Sequence, residues 1–366
     1  MRIGILTFHC AHNYGAVLQA YALREELKLM GYDVEFVNYQ PEYLLSPYSI
    51  DIIKGYKNYK PSSFFSTIKY IGSEIILFRR RFIRYWKFNK FIKKKLSIRT
   101  KPIKNVVEID KDYDAYIFGS DQIWNLSITK GFDDIFWGNF IVKKNAKKIS
   151  YAASMDTEKI QEYALIKSRL SNFDYLSVRE NQLKNLLQPL CYKEINTVLD
   201  PTLLVSPQTW NSFIKKPNIK KKYVLVYQVR ETPQTLRIAN EIASQIGGVV
   251  IRLVAFFNSW KYGKNLHQSE GPEEFVNWIK YAECVVTTSF HGTAFSIIFN
   301  KPFYTLKLSD GSDSRAKNLL IKFNLSDRFI SPESNINLTD IDYTNVNSKL
   351  NELRSLSKSF LINSLD

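Results

Sequence analysis

Twice along this chain an apolar run gives way to an amphipathic helical stripe and then to a second apolar run. That recurrence narrows the possible folds more than any other feature. Arg2 to Phe8 alternates as a strand. Ala16 to Met30 then sets Val17, Ala20, Leu23, Leu27 and Met30 on one helical stripe, Gly31 stands where a C-terminal cap is expected, and Asp33 to Tyr39 is apolar again. A strand–helix–strand unit implies a parallel sheet with helices on its faces. Further strands are predicted at residues 113–118, 148–153, 174–178 and 196–199. A second series starts at Tyr223 to Tyr227 and continues with a helix over 233–246, a Gly247-Gly248 turn and a strand from Val249 to Val254. A helix over 273–282 leads into a strand at Cys284, and a last helix is predicted over 344–365.

At 366 residues the chain exceeds the size at which one core keeps growing, so two domains are expected. The polar, lysine-rich stretch "PQTWNSFIKKPNIKKK", residues 207–222, holds two prolines and suits the boundary. The division is therefore 1–206 and 223–340, with a closing helix at 341–366. The expected architecture is two doubly wound α/β domains facing each other across a cleft. The first unit lacks G-x-G-x-x-G, so the dinucleotide fingerprint is absent.

Net charge is +16, and it is unevenly spread. Residues 51–104 carry 16 Lys plus Arg against Asp51 and Glu74, a net of +14, which leaves the rest nearly neutral. The segment reads as one or two helices, most regular between Ile75 and Lys95, with Phe82, Ile83, Tyr85, Trp86, Phe88, Phe91 and Ile92 threaded through the charge. It suits either a solvated face or a docking surface for anionic lipid headgroups; no nucleic-acid-binding module accompanies it, and nucleic acid is not expected. The longest apolar stretch, Phe64 to Phe78, is broken by Lys69 and Glu74 and falls short of a membrane span. Cys10, Cys191 and Cys284 are odd in number, far apart and without metal spacing, as free thiols in a reducing cytosol would be. The N-terminus enters a strand directly, without a secretory leader. A cytoplasmic protein, peripheral at the inner face of the membrane, is the expectation.

Functional candidates gather at predicted strand ends, where open α/β sheets bind ligands. In "TTSFHGTAFSIIFNKPF", residues 287–303, one of only four histidines stands at the seam between a strand and a helix. Thr287, Thr288, Ser289 and Thr293 bring hydroxyls to a helix N-terminus whose first amides favour an anion, and Gly292 permits close backbone approach. His291 can exchange a proton near neutral pH. The seam reads as a phosphate cradle with an acid beside it, or as an ordinary turn with a structural histidine. In "YDAYIFGSDQIWN" a second strand ends in Ser120, Asp121 and Gln122, with Trp124 as a flat surface and Asn125 as a hydrogen-bonding head for a sugar; the same letters suit a capped turn. The loop "HCAHNYG" offers His9 and His12 with Asn13 and Gly15. No ligand set with metal spacing backs the histidines, so the loop is expected to line the cleft and no metal is expected. Arg179, Arg230 and Arg315 are the cations placed to reach a carboxylate or phosphate, or to pair with neighbouring acids.

Taken together, "TFHCAHNYGAVLQAYAL", "FGSDQIWN", "ISYAAS", "LSVRE", "VLDPTLL" and "TTSFHGTAFSIIFNKPF" resemble the polysaccharide pyruvyl transferase family, with the motifs in the family's order from residue 1 to about residue 325. The resemblance implies two Rossmann-like domains arranged like a GT-B glycosyltransferase. It implies phosphoenolpyruvate as donor substrate, no cofactor, and a pyruvate ketal formed on a sugar of a surface polysaccharide, capsule or exopolysaccharide, or on its lipid-linked precursor. His291 takes the place of the family's His-Gly histidine, the general acid, and Arg179 that of its strand-end arginine. Family members carry an arginine two residues before that histidine; here the residue is Ser289, and Arg230 or Arg315 would have to substitute. On this reading Arg179, Arg230, Ser289, Gly292, Thr293 and Arg315 hold the donor. Asn13, Gly15, Ser120, Asp121, Gln122, Trp124 and Asn125 face the acceptor. A nucleotide-sugar glycosyltransferase and a non-catalytic partner of polysaccharide assembly at the membrane surface are the alternative functions.

Overall fold

The computed structural model describes residues 1–50, 63–155, 161–230, 232–255, 265–308 and 313–366. The first half holds β1 (Arg2–Leu6), α1 (Tyr14–Leu29), β2 (Asp33–Phe36), the long α2 (Phe64–Phe91), β3 (Ala115–Phe118), β4 (Lys147–Ala153), β5 (Tyr175–Val178) and β6 (Ile195–Thr197). The second holds β7 (Tyr223–Gln228), α3 (Pro233–Gln245), β8 (Val249–Val254), β9 (Leu266–His267), α4 (Pro272–Lys280), β10 (Cys284–Thr287), α5 (Phe290–Ile298), β11 (Phe303–Leu306), α6 (Asp313–Lys322), β12 (Phe329–Ile330) and α7 (Tyr343–Leu365). Each half forms a six-stranded parallel sheet, ordered β2-β1-β3-β4-β5-β6 and β12-β11-β10-β7-β8-β9. These are two doubly wound, Rossmann-like sheets, as the periodicity predicts.

Strand order reverses between β1 and β3 in the first sheet and between β7 and β10 in the second. At such a switch point neighbouring connections leave on opposite faces and open a crevice. A threonine stitches each crevice at its floor. Thr7 Oγ1 donates to the Ser120 carbonyl at 3.0 Å, and Thr287 Oγ1 donates to the Tyr227 carbonyl at 2.6 Å.

The halves share one apolar core at the base of the cleft. Tyr14 stacks on Phe275 at 4.8 Å and meets Tyr227 edge-on at 5.9 Å. The stretch expected as a polar linker takes part in this core. Trp210 and Phe213 are buried, Trp210 packing on Phe295 at 4.9 Å and Phe213 on Tyr21 at 4.9 Å. Its lysines face solvent while its two aromatic residues anchor it. The closing helix α7 returns to the first half, where Ser357 Oγ accepts from the Leu199 amide at 2.9 Å and Lys358 pairs with Glu26 at 2.6 Å.

Among its described residues the basic segment is mainly one long helix, α2, whose C-terminal half is docked across both halves. Phe88 and Phe91 are buried, and Arg84 donates to Tyr14 Oη at 2.9 Å and to the carbonyls of Val254 (3.1 Å) and Ala255 (2.7 Å). Lys87 pairs with Glu270 at 3.0 Å and Glu274 at 2.8 Å. Phe91, expected among the aromatics available to a membrane, is only 3% exposed. The helical turn that carries it points at the core, because Phe88 and Phe91 share the face on which Arg84 is clamped. Residues 51–62 of the charged segment lie outside the described residues.

Candidate active site

His291 belongs to the first turn of α5, directly after β10, and Gly15 to the first turn of α1, after β1. The two switch points meet through this pair. A Cβ built on Gly15 would lie 2.0 Å from His291 Nδ1, so only a glycine admits the imidazole against α1. The ring is buried, with Nδ1 turned toward Gly15 and Nε2 3.8 Å from Asp200 Oδ2. That distance suits an ion pair and exceeds a direct hydrogen bond.

Asp200 ends the segment after β6 and is fully buried. Its Oδ1 accepts from the Thr202 amide (2.9 Å) and hydroxyl (2.7 Å), and its Oδ2 from Arg179 Nη1 (2.8 Å) and Ser120 Oγ (3.2 Å). Burial alone would raise this carboxyl. His291, Arg179 and Thr202 outweigh burial and hold it far below the usual carboxylate range, so it is a fixed anion. Arg179 is likewise committed: Nε donates to Glu180 at 2.8 Å and Nη2 to Ser154 Oγ at 3.0 Å, while its guanidinium lies 4.2 Å over the Phe290 ring. Burial works against its charge, but Glu180, Asp200 and Asp121 keep it protonated. Lys322 of α6 donates to the Arg179 carbonyl at 2.8 Å, and burial pushes its ammonium down to about 8.

This geometry revises several expectations. Arg179 was expected to grip the donor; at 3% exposure, with Nε and both terminal nitrogens bonded, it stands behind the histidine and positions Asp200. Thr293 was expected at the cradle, but its hydroxyl donates to the Ser289 carbonyl at 3.0 Å and meets Thr305 Oγ1 at 2.7 Å. Ser289 is the N-cap of α5, its Oγ accepting the Gly292 amide at 3.3 Å, and the Thr293 amide bonds the Ser289 carbonyl. The amides at and after Gly292 are thus consumed within the cap, which leaves Phe290 and His291 to present the front of the helix. Gly292 is required by contact: a Cβ there would lie 2.3 Å from Thr287 Oγ1. Trp124 offers no face to a sugar, being fully buried and stacked on Trp137 at 4.8 Å, with its indole N–H donated to the Phe136 carbonyl. Asn125 caps the short helix that follows it, its Oδ1 accepting from the Ser127 amide.

Other candidates do converge. Asn13 caps α1 by accepting from the Ala16 amide. Ser120 touches Asp200, and half-buried Asp121 and Gln122 follow it at the end of β3. Arg230 is exposed on the rim, where its carbonyl accepts from Thr288 Oγ1 at 3.4 Å. Arg315, in the first turn of α6, lines a narrow crevice with Arg179, Asp200 and Phe290. The two histidines of the first loop diverge: His9 bonds Thr7 and Asn38, whereas the His12 ring stacks on Phe88. Among the described residues no group of His, Cys, Asp and Glu could hold a metal ion. No described helix is long and apolar enough to cross a membrane.

A family model described as polysaccharide pyruvyl transferase matches residues 13–310. The chain belongs to this family. The match runs from the Asn13 cap through Asp200 to His291. No curated protein matches this pyruvyl transferase family member. Among solved structures it is similar to S. aureus MnaA with UDP (11% identity, TM-score 0.46, covering 96% of this chain and 87% of that one). It is also similar to a UDP-GlcNAc 2-epimerase from Methanocaldococcus jannaschii (11%, 0.42, 96% and 92%) and to the E. coli heptosyltransferase WaaC with ADP (11%, 0.37, 96% and 100%).

Asp200, Glu180, Ser154 and Thr202 escaped the sequence reading as site residues, although "VLDPTLL", "LSVRE" and "ISYAAS" contain them. The available signal was an acid followed at once by Pro-Thr, the pattern of a capped helix start. Arg84 was hidden among the other basic residues of its segment.

Proposed function

We propose that this family member transfers the pyruvyl group of phosphoenolpyruvate to two hydroxyls of a sugar, forming a ketal and releasing phosphate. The observation that carries the reading is the buried Asp200–His291 pair set between the first turns of α1 and α5. Asp200 faces Nε2 at 3.8 Å as a fixed anion while Nδ1 packs toward Gly15, so the ring is held between a carboxylate and the first turn of α1, the logic by which a carboxylate positions a catalytic imidazole. In the reaction, protonated His291 delivers its proton to the methylene carbon of the enol phosphate. The electron-poor carbon that results is attacked by one sugar hydroxyl. The C–O bond to phosphate then breaks, a second hydroxyl closes the ketal, and of the two hydroxyl protons one balances the new methyl group and the other leaves with phosphate. The dipoles of two helices favour the anionic donor at their N-termini, and Arg315 and Lys322 line the crevice while Arg230 is exposed.

A lipid-linked acceptor fits the outer face of α2. Phe64, Ile68, Ile71, Phe78, Phe82 and Trp86 are all exposed and recur at helical spacing, opposite the face that docks through Arg84, Phe88 and Phe91. Arg79 is exposed beside this stripe, and Arg80, four residues before Arg84, is exposed too. An apolar stripe flanked by positive charge suits an anionic bilayer surface, where each basic residue contributes about 1 kcal/mol. Anionic vesicles should pellet the protein and neutral ones should not, and Arg79→Glu with Arg80→Glu should release it; equal pelleting throughout would refute the contact.

The test of the reaction is incubation with phosphoenolpyruvate and a diol-bearing saccharide, following phosphate release and the mass of the sugar. Sugar-dependent phosphate release with a ketal product is the expected result. Transfer from a labelled nucleotide sugar, with none from phosphoenolpyruvate, would replace this reading by glycosyl transfer.

A further inference from the structure

The cavity that the reaction leaves unused lies in the first half, between the loop after β2 and the C-terminal part of α2. Its volume is about 890 Å³, within the range of small-molecule sites. Aromatic rings form its walls. Tyr39 and Tyr43, whose hydroxyls donate to Asp133 Oδ2 at 2.7 and 2.5 Å, line one side of it. Tyr48 and Tyr85 line it as well, and Tyr85, Asn89 and Ile92 present one face of α2 and its continuation at i, i+4 and i+7 spacing. Between the rings stand polar groups: the imidazole of His12 and the amides of Gln40 and Asn89, with Glu42 and Lys104 also in the lining. Burial, helped by the charge of Arg84, pushes His12 down to about 4, so it is a neutral imidazole able to both donate and accept.

Flat ring faces alternating with amide, imidazole and carboxylate groups match the apolar faces and hydroxyl edges of pyranose rings. Gln40 and Asn89 already donate to Asn38 Oδ1 and the Tyr85 carbonyl, but an isoprenoid tail would also press hydrocarbon against the charged Glu42 and Lys104 of the lining, so the lining favours sugar over lipid. Two lining residues, His12 and Tyr48, adjoin the residues that approach the histidine. His12 immediately precedes the Asn13 cap, Tyr48 hydrogen-bonds the Asn13 side chain, and Gly15, two residues on, touches His291.

We propose that this tyrosine-walled cavity is a saccharide-binding subsite, which seats the sugar residues of the acceptor while the hydroxyls to be modified extend past Asn13 to His291. What happens to the sugar rests on the pyruvyl-transfer reading; the binding itself does not.

The test is a titration of the full chain with methyl glycosides of galactose, mannose, glucose and N-acetylglucosamine, read by saturation-transfer NMR, for the wild type, Tyr85→Ala and Gln40→Ala. Phosphoenolpyruvate binding is measured in parallel. At least one glycoside should bind saturably, its dissociation constant rising tenfold or more in each folded variant while phosphoenolpyruvate still binds. If Tyr85→Ala melts early, Gln40→Ala alone decides. Unchanged glycoside affinity in a folded variant, binding of no glycoside, or displacement of the glycoside by geranyl phosphate at the same residues overturns the subsite. Glycoside binding that responds to the variants in a protein blind to phosphoenolpyruvate would uphold the subsite and remove the donor reading.

Discussion

The two switch points share a topology and divide the work. At the first, between β1 and β3, charge is concentrated and locked: Asp200, Arg179, Glu180, Ser120 and Ser154 bond one another out of contact with water. At the second, between β7 and β10, Thr287, Ser289, Gly292 and Thr293 are small and uncharged, and their hydroxyls spend themselves on the strand end and helix cap. His291 reaches from the second to the first, with Phe290 beside it under the Arg179 guanidinium. The difference teaches that Asp200 and the helix carrying His291 come from different halves, so their pair is assembled only when the halves are packed together. A rigid charged block on one side and a neutral, tightly capped turn on the other give that assembly one preferred geometry.

The contrast breaks most severely at Arg179. Arg179→Ala leaves Asp200 and Glu180 buried without their counter-charge, and removing one partner from such a network costs about 3–5 kcal/mol. Chemical denaturation should show that loss, with turnover falling alongside it, whereas an exposed donor-binding arginine would lower donor affinity and spare stability.

Next in size is the tie between α2 and the second half. Burial would raise Glu270, but its bond to His267 and the charge of Lys87 outweigh burial and lower the carboxyl to about 2 from 4.5. A carboxyl depressed in the folded state contributes stability that is complete above its unfolded value and is lost as pH falls through the folded one. Between pH 4.5 and 2 the protein should therefore lose about 3 kcal/mol on this account. Glu270→Gln should flatten that part of the acid-denaturation curve, and an unaltered curve would remove Glu270 from the interface.

Gly15→Ala sharpens the comparison from the first switch point. The added methyl meets the imidazole at 2.0 Å, so the ring or α1 must shift by an ångström or so, which costs about 10²-fold in rate. Turnover measured with the melting temperature separates displacement of His291 from general damage; unchanged turnover would mean that His291 and α1 need not touch. Ser289→Ala is the mildest change. Losing the cap of α5 should cost about 1 kcal/mol of stability, with donor affinity altered little, and a large loss of donor affinity instead would restore Ser289 as a phosphate ligand.

The fold was legible because its signals are local: the change of period from strand to helix is written within thirty residues, and Gly31 and Lys301-Pro302 mark where helices stop. The place of His291 was legible for a related reason, since the same change of period sets it at the seam between β10 and α5. Its partners were not. Asp200 and Arg179 meet only after the chain has wound through β5 and β6, and an arginine next to a glutamate gives no hint whether it faces ligand or core. Trp124 shows the same limit, because a tryptophan after a polar turn can equally roof a sugar or stack on Trp137 beneath it. In the basic segment the period was readable but the docked face was not, which is why Phe91 and Arg84 turn inward while Phe82 and Trp86 stay outside.

The most direct measurement is turnover of His291→Gln beside the wild type, with phosphoenolpyruvate and a diol-bearing saccharide, following phosphate and ketal together. The account predicts sugar-dependent release of both by the wild type and a fall of about 10²–10⁴ in the variant, with its melting temperature and glycoside binding retained. Near-normal turnover in the folded variant would contradict the assignment of His291 as the acid that joins the two halves.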